Sequence, residues 1–166
     1  EERVGLYDRL VIVAKMILAK SKFKTDHTEE AISMTTALHV SLSDELGVED
    51  SLKKNVETQW INMLIDLERW SEVDEKMEAR FVRQNDNPEL LLDFAKNIIQ
   101  NLHNEYKERY SDLALKATQR AVSIKGELAS EATFALAEVH LSRKEYVEAS
   151  NWYAKSIAFA DEDNED

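Results

Sequence analysis

Residues Ser130 to Ala160 read SEATFALAEVHLSRKEYVEASNWYAKSIAFA, and this stretch decides the fold. Apolar side chains recur at steps of three and four on both sides of a short polar corner, Ser142-Arg143-Lys144. That period marks two amphipathic helices, and so short a corner folds them back as an antiparallel pair. Leu136-Ala137 stands on the first arm; Tyr146, Glu148-Ala149, Tyr153 and Ser156 follow on the second. Ala137 and Ala149 are 12 residues apart on opposite arms. Side chains that small let the two backbones approach closely. Tyr146 is expected to plug the corner, and Tyr153 to fill the gap toward a neighbouring hairpin.

The layout returns outward from this hairpin. Over 54–87, Trp60-Ile61, Trp70, Glu72-Val73, Met77 and Arg80 repeat it, with Ile61 and Val73 again 12 apart. Ile61, Val73 and Arg80 there replace small residues. Phe94-Ala95 follows Trp60-Ile61 by 34 residues. Ala95 to Ala114 is 19 residues, an insertion of about seven around Asn104 to Arg109, after which Ala114 and Ala121 recover a seven-residue step. The inserted segment is expected either to lengthen the helix begun at Pro88 or to protrude as a solvent-facing corner. Near the N-terminus Glu30-Ala31-Ile32 resembles the second arm, and Ala14, 17 residues earlier, is the candidate on the first.

Leucine then a small residue on the first helix, an aromatic after the turn, small residues at two places on the second, and a 34-residue step resemble a tetratricopeptide repeat. The resemblance is specific over 130–160 and loose elsewhere. It implies an all-α fold of about eight helices, four antiparallel hairpins stacked in a right-handed solenoid, in one domain over 1–160 with an acidic tail at 161–166. The expected helices are 3–20, 27–46, 51–67, 70–84, 88–106, 111–125, 128–142 and 145–160, so the hairpins are 3–46, 51–84, 88–125 and 128–160. Local signals support several ends. Asp26 with Glu29 forms a candidate capping box, and Gly47 and Gly126 are candidate helix stops. Asn87-Pro88 reads as cap and first helical residue, and Ser111-Asp112 as another start.

Composition agrees with that class. The chain has 166 residues, 43% of them hydrophobic, with only three glycines and one proline. A turn-rich β fold needs more of both. No cysteine is present, which removes disulfides, thiol chemistry and Cys-type zinc sites. The net charge of −12 argues against a nucleic-acid footprint, which needs a basic face. Asp161 to Asp166 holds five carboxylates; removing them from −12 leaves −7, so the body is acidic too. Leu10 to Ala19, the most apolar run, is about half a membrane span and is interrupted by Lys15, so it reads as a buried helix rather than a membrane or signal segment.

Chemistry-bearing motifs are missing. There is no Gly-rich phosphate loop, no Gly-x-Ser-x-Gly elbow and no His-Glu-x-x-His. His27 and Glu30 lie one turn apart, but a zinc site needs further ligands, so His27 reads as a first-turn polar residue and His140 as a core or groove residue. Trp60, Trp70, Trp152, Tyr146, Tyr153, Met63, Met77 and Phe94 read as packing residues. The expected function is therefore non-enzymatic, without cofactor or metal: a scaffold holding a peptide or protein segment on a concave helical surface. By analogy with the family, the groove positions are Asn55, Thr58 and Asn62; Glu89, Leu92 and Lys96; and Glu131, Phe134 and Glu138. That set is mixed to acidic and lacks the basic cluster with which one subclass of the family clamps a C-terminal carboxylate, so a basic or apolar partner segment is expected. The chain opens on Glu1 rather than Met, which gives a second reading, a regulatory or structural domain of a larger protein whose catalytic part, if it has one, lies elsewhere. A third is a homo-oligomer joined through the 10–19 face or the last hairpin.

Overall fold

The structure, a computed structural model, describes residues 6–45, 51–101, 103–125 and 130–162. Among them are eight helices and no strand: α1 (Leu6–Lys24), α2 (Thr28–Glu45), α3 (Ser51–Asp66), α4 (Trp70–Gln84), α5 (Pro88–Ile99), α6 (Asn104–Lys125), α7 (Ser130–Ser142) and α8 (Tyr146–Glu162). The all-α expectation therefore holds. The chain packs as two compact units, residues 1–76 and 77–166, the boundary falling inside α4.

In the first unit α1 packs on α2, α2 on α3, and α1 on α3. Ile12, Leu38, Leu42, Leu52 and Val56 form its core, with Met16 at the edge. Thr35 is fully buried here, and its hydroxyl is satisfied by donating to the Ala31 carbonyl at 2.9 Å. In the second unit α5 pairs with α6, α7 with α8, α6 with α7, and α5 with α7. Leu91, Phe94, Ile98, Leu136 and Val139 are buried there beside Ala114, Ala117 and Ala121. Thr118 repeats the Thr35 device, donating to the Ala114 carbonyl at 3.1 Å. Arg80, standing where a small residue was expected, is buried with its guanidinium 5.3 Å from the Phe94 ring centre.

Three corners close by one backbone device. The amides of His27, Arg69 and Glu145 donate to the carbonyls five residues earlier, Lys22, Leu64 and His140, at 3.0, 2.9 and 3.0 Å. The residue between, Asp26, Glu68 or Lys144, takes a left-handed φ of 63°, 56° or 63°. This is the Schellman way of satisfying the last carbonyls of a helix. It corrects two expectations. Asp26 is a corner tip rather than an N-cap; His27 precedes α2, its carbonyl accepting from Ala31. And the residue of α1 equivalent to Ala137, counted from the corner, is Ala19, 12 before Ala31 and fully buried. Ala14 is exposed.

Asn87 caps α5 as expected, its side chain accepting from the Leu90 amide at 3.1 Å, with Pro88 at the first turn. The inserted segment behaves otherwise. α5 stops at Ile99, and Asn104 to Tyr110 forms the first turns of α6. Glu105, Glu108 and Arg109 are exposed, but Tyr106 and Tyr110 are buried, their rings 4.8 Å apart. The Tyr106 hydroxyl reaches the Met77 sulfur at 3.1 Å. Alternating charged and aromatic residues at helical spacing put one face inside, so the segment is neither an extension of α5 nor a protruding corner. Ser111-Asp112 consequently lies inside α6 instead of starting it. α1 likewise runs on through the polar residues to Lys24, and α8 runs to Glu162, into the segment expected to be a tail. Gly47, Gly126 and residues 163–166 lie outside the described residues.

Candidate functional site

α5 and α7 are the first arms of two successive hairpins and lie against each other. On α5, Leu92 and Lys96 are four residues apart and share a face. On α7, Glu131, Phe134 and Glu138 follow at helical spacing. The packing brings these five together around a cleft of about 280 Å³, with Asp93, Ile99 and Val139 also on its walls. Leu92 and Val139 are buried and supply an apolar floor, while half of Phe134 is open to solvent. Among the lining residues Asp93, Glu131 and Glu138 outnumber Lys96, so the opening is acidic.

Several of these groups are held by residues that sequence reasoning did not single out for the site. Tyr153 on α8 packs edge-on against Phe134, with ring centres 5.5 Å apart, and its hydroxyl donates to the Glu138 carboxylate. Burial, then that carboxylate, pushes the Tyr153 phenol up to about 12. Lys125, at the end of α6, pairs with Glu131 at 3.2 Å and with Glu89 at 3.4 Å. Its ammonium is held above the usual lysine range, by the Glu131 hydrogen bond first. Glu89 does not line the cleft; it joins the site through Lys125. A basic residue closing one helix, six residues before an acid opening the next, was the available signal for Lys125.

Asn55, Thr58 and Asn62 meet in a different cleft, of about 420 Å³, between α1 and α3 of the first unit. Asn55 and Thr58 are exposed, while the Asn62 Oδ1 atom is buried with no hydrogen-bond partner among the described residues. α1 adds Lys20, Phe23 and Lys24 to the walls, two basic residues that the groove positions on α3 alone do not reveal. Gln59 on its wall is fixed, donating to the Met16 carbonyl at 3.0 Å.

The remaining sequence candidates resolve into packing and pairing. His140 is buried, its Nδ1 atom 2.7 Å from Glu145. That hydrogen bond, with Arg143 beside it, holds the Glu145 carboxyl below its usual range. Arg143 also pairs with Asp112 at 2.6 Å, tying the corner to α6. This network occupies the corner that Tyr146 was expected to plug; Tyr146 itself opens α8 and faces solvent. His27 Nδ1 lies 2.8 Å from the Thr25 carbonyl, and Glu30 pairs with Lys22 at 2.9 Å, so the two form no joint site. Trp60, Met63, Met77 and Phe94 are buried. Among the described residues no group of three or more His, Asp or Glu is placed to hold a metal ion. No helix among them is long and apolar enough to cross a membrane.

Compared with known proteins, the chain matches no family model and no curated sequence.

Proposed function

We propose that this chain is a tetratricopeptide-like helical-repeat module that binds a peptide or protein segment and catalyses no reaction. The observation that carries this reading is the α5–α7 cleft, with its floor of Leu92 and Val139, the half-open Phe134 ring, and three acids against one lysine on its walls. The recurrence of one corner device at Asp26, Glu68 and Lys144 supports the repeat. So does the 12-residue step between buried residues in three hairpins, Ala19 to Ala31, Ile61 to Val73 and Ala137 to Ala149.

Such a cleft suits a basic segment with apolar side chains. Its charge attracts the segment, and burial against Phe134 and the floor retains it. The test is selection from a random displayed peptide library, followed by binding kinetics on the enriched sequences. Peptides combining Lys or Arg with a large apolar residue are expected. Association is expected to slow with salt and with Glu131→Lys, while Phe134→Ala speeds dissociation. Enrichment of acidic peptides, or affinities indifferent to both substitutions, overturns the reading.

A further inference from the structure

The three acids of the α5–α7 cleft are not equivalent. Glu131 is exposed and pairs with Lys125 at 3.2 Å, so a cation already answers its charge. Asp93 is exposed, where water weakens any pairing. Glu138 is half-buried, and its Oε1 atom accepts from the Tyr153 phenol. A phenol is a neutral donor: it fixes the carboxylate in place without cancelling its charge. The Oε2 atom has no hydrogen-bond partner among the described residues.

Tyr153 also fixes Phe134. The two rings meet edge-on with centres 5.5 Å apart, and Phe134 keeps 51% of its surface open. Phe134 and Glu138 are four residues apart on α7, so they are neighbours on one helix face. The cleft therefore offers an aromatic ring beside a held carboxylate. A guanidinium suits that pair better than an ammonium does. It is flat, it stacks on a ring, and it presents a fork of donors to a carboxylate. The cleft, at about 280 Å³, takes one long side chain, whose stem can lie along the buried Leu92 and Val139. Lys96 on the α5 wall has no ion-pair partner among the described residues and repels a second cation.

We propose that the basic residue of the bound segment is a single arginine, its guanidinium stacked on Phe134 and donating to Glu138, an assignment that rests on the α5–α7 cleft being the peptide site. Phe134 and Glu138 then determine specificity, and Tyr153 is a positioning residue that acts through both. Glu131 contributes attraction at long range and no preference between arginine and lysine.

The experiment uses the peptides enriched from the displayed library, each synthesised with arginine, lysine or neutral citrulline at its basic position. Affinities are measured by calorimetry on the whole chain and on variants whose folding is checked by circular dichroism. Arginine is expected to bind about tenfold more tightly than lysine, and citrulline more weakly than either. Glu138→Gln, which keeps an acceptor for Tyr153, is expected to abolish that preference. So is Phe134→Leu, which keeps an apolar side chain and removes the ring. Tyr153→Phe keeps the ring contact and is expected to give a preference between that of the unaltered chain and that of Glu138→Gln. Glu131→Gln removes the same charge from the same helix, and is expected to weaken arginine and lysine peptides equally. Arginine and lysine peptides that bind with equal affinity overturn the arginine assignment and leave the peptide site standing. A preference that survives Glu138→Gln, or that Glu131→Gln abolishes equally, overturns the role given to Glu138. Enrichment of peptides without basic residues overturns the peptide reading and this assignment together.

Discussion

The Glu145 amide donates to the His140 carbonyl at 3.0 Å, across a corner whose tip, Lys144, holds a φ of 63°. Glycine is the usual residue at such a tip because a Cβ is crowded there. This chain uses Lys144 and Glu68 instead, and at the third corner Asp26, a residue type that tolerates the left-handed region better. Lys144→Gly and Glu68→Gly are each expected to stabilise by about 0.5–1 kcal/mol, the relieved strain exceeding the entropy glycine adds to the unfolded chain. Asp26→Gly should gain less. Chemical denaturation of the three variants measures this, and a loss of stability at Lys144 or Glu68 would show that the corner is not strained.

Ala149 is 2% exposed and Ala137 fully buried, where α7 and α8 pack together. Extra methylenes in a closed contact force side chains off their rotamers or push the helices apart. Ala149→Leu is expected to destabilise by roughly 1–3 kcal/mol. Ala154→Leu, on the exposed side of the same helix, should change stability by less than about 0.5 kcal/mol. Equal melting temperatures for the two variants would remove the close contact from the account of the hairpin.

Tyr106 makes the inserted segment part of the core. Its ring is buried beside Tyr110, and its hydroxyl reaches Met77. Tyr106→Ala is expected to cost roughly 3–5 kcal/mol, the range for removing a buried aromatic ring. Tyr106→Phe keeps the ring and should cost about 1 kcal/mol. A small effect of the alanine variant in thermal unfolding would restore the picture of a solvent-facing insertion.

How far the sequence could be read depended on whether a feature was set within one helix or between helices. Helix type and number, the Asn87-Pro88 start and the polar corner at Ser142-Lys144 are local, and each is visible as a periodicity or a cap. The register of α1 is hidden at its corner, because left-handed tips are usually glycine and Asp26 is not; the 12-residue step from Ala19 to Ala31 was the signal available for it. The inserted segment was misread because its charges were weighed and the faces of Tyr106 and Tyr110 were not. In the site, eight of the nine groove positions on three first arms separate into two clefts, and Glu89 joins only through Lys125. Tyr153 holds Glu138 from a second arm, a tertiary relationship with no fixed spacing, whereas Lys125 stands six residues before Glu131 and was open to reading.

Tyr153 offers a titration that reports on the cleft directly. Its phenol, ordinarily at 10, is pushed up to about 12 by burial and by the Glu138 carboxylate, which accepts its proton in a hydrogen bond. A raised value means that the folded state favours the neutral phenol. The contribution to stability is therefore complete below pH 10 and is lost as pH rises from 10 toward 12. Ultraviolet titration of the folded chain should show the Tyr153 phenol ionising near pH 12. Tyr153→Phe should remove one tyrosine's amplitude from the region near pH 12, keep the ring contact with Phe134, and cost about 1 kcal/mol at neutral pH through the lost hydrogen bond. In that variant Glu138 no longer has the phenol as donor, so a basic peptide bound in the cleft is expected to associate faster. An undiminished amplitude near pH 12 in Tyr153→Phe would mean that the Tyr153–Glu138 bond does not form in solution.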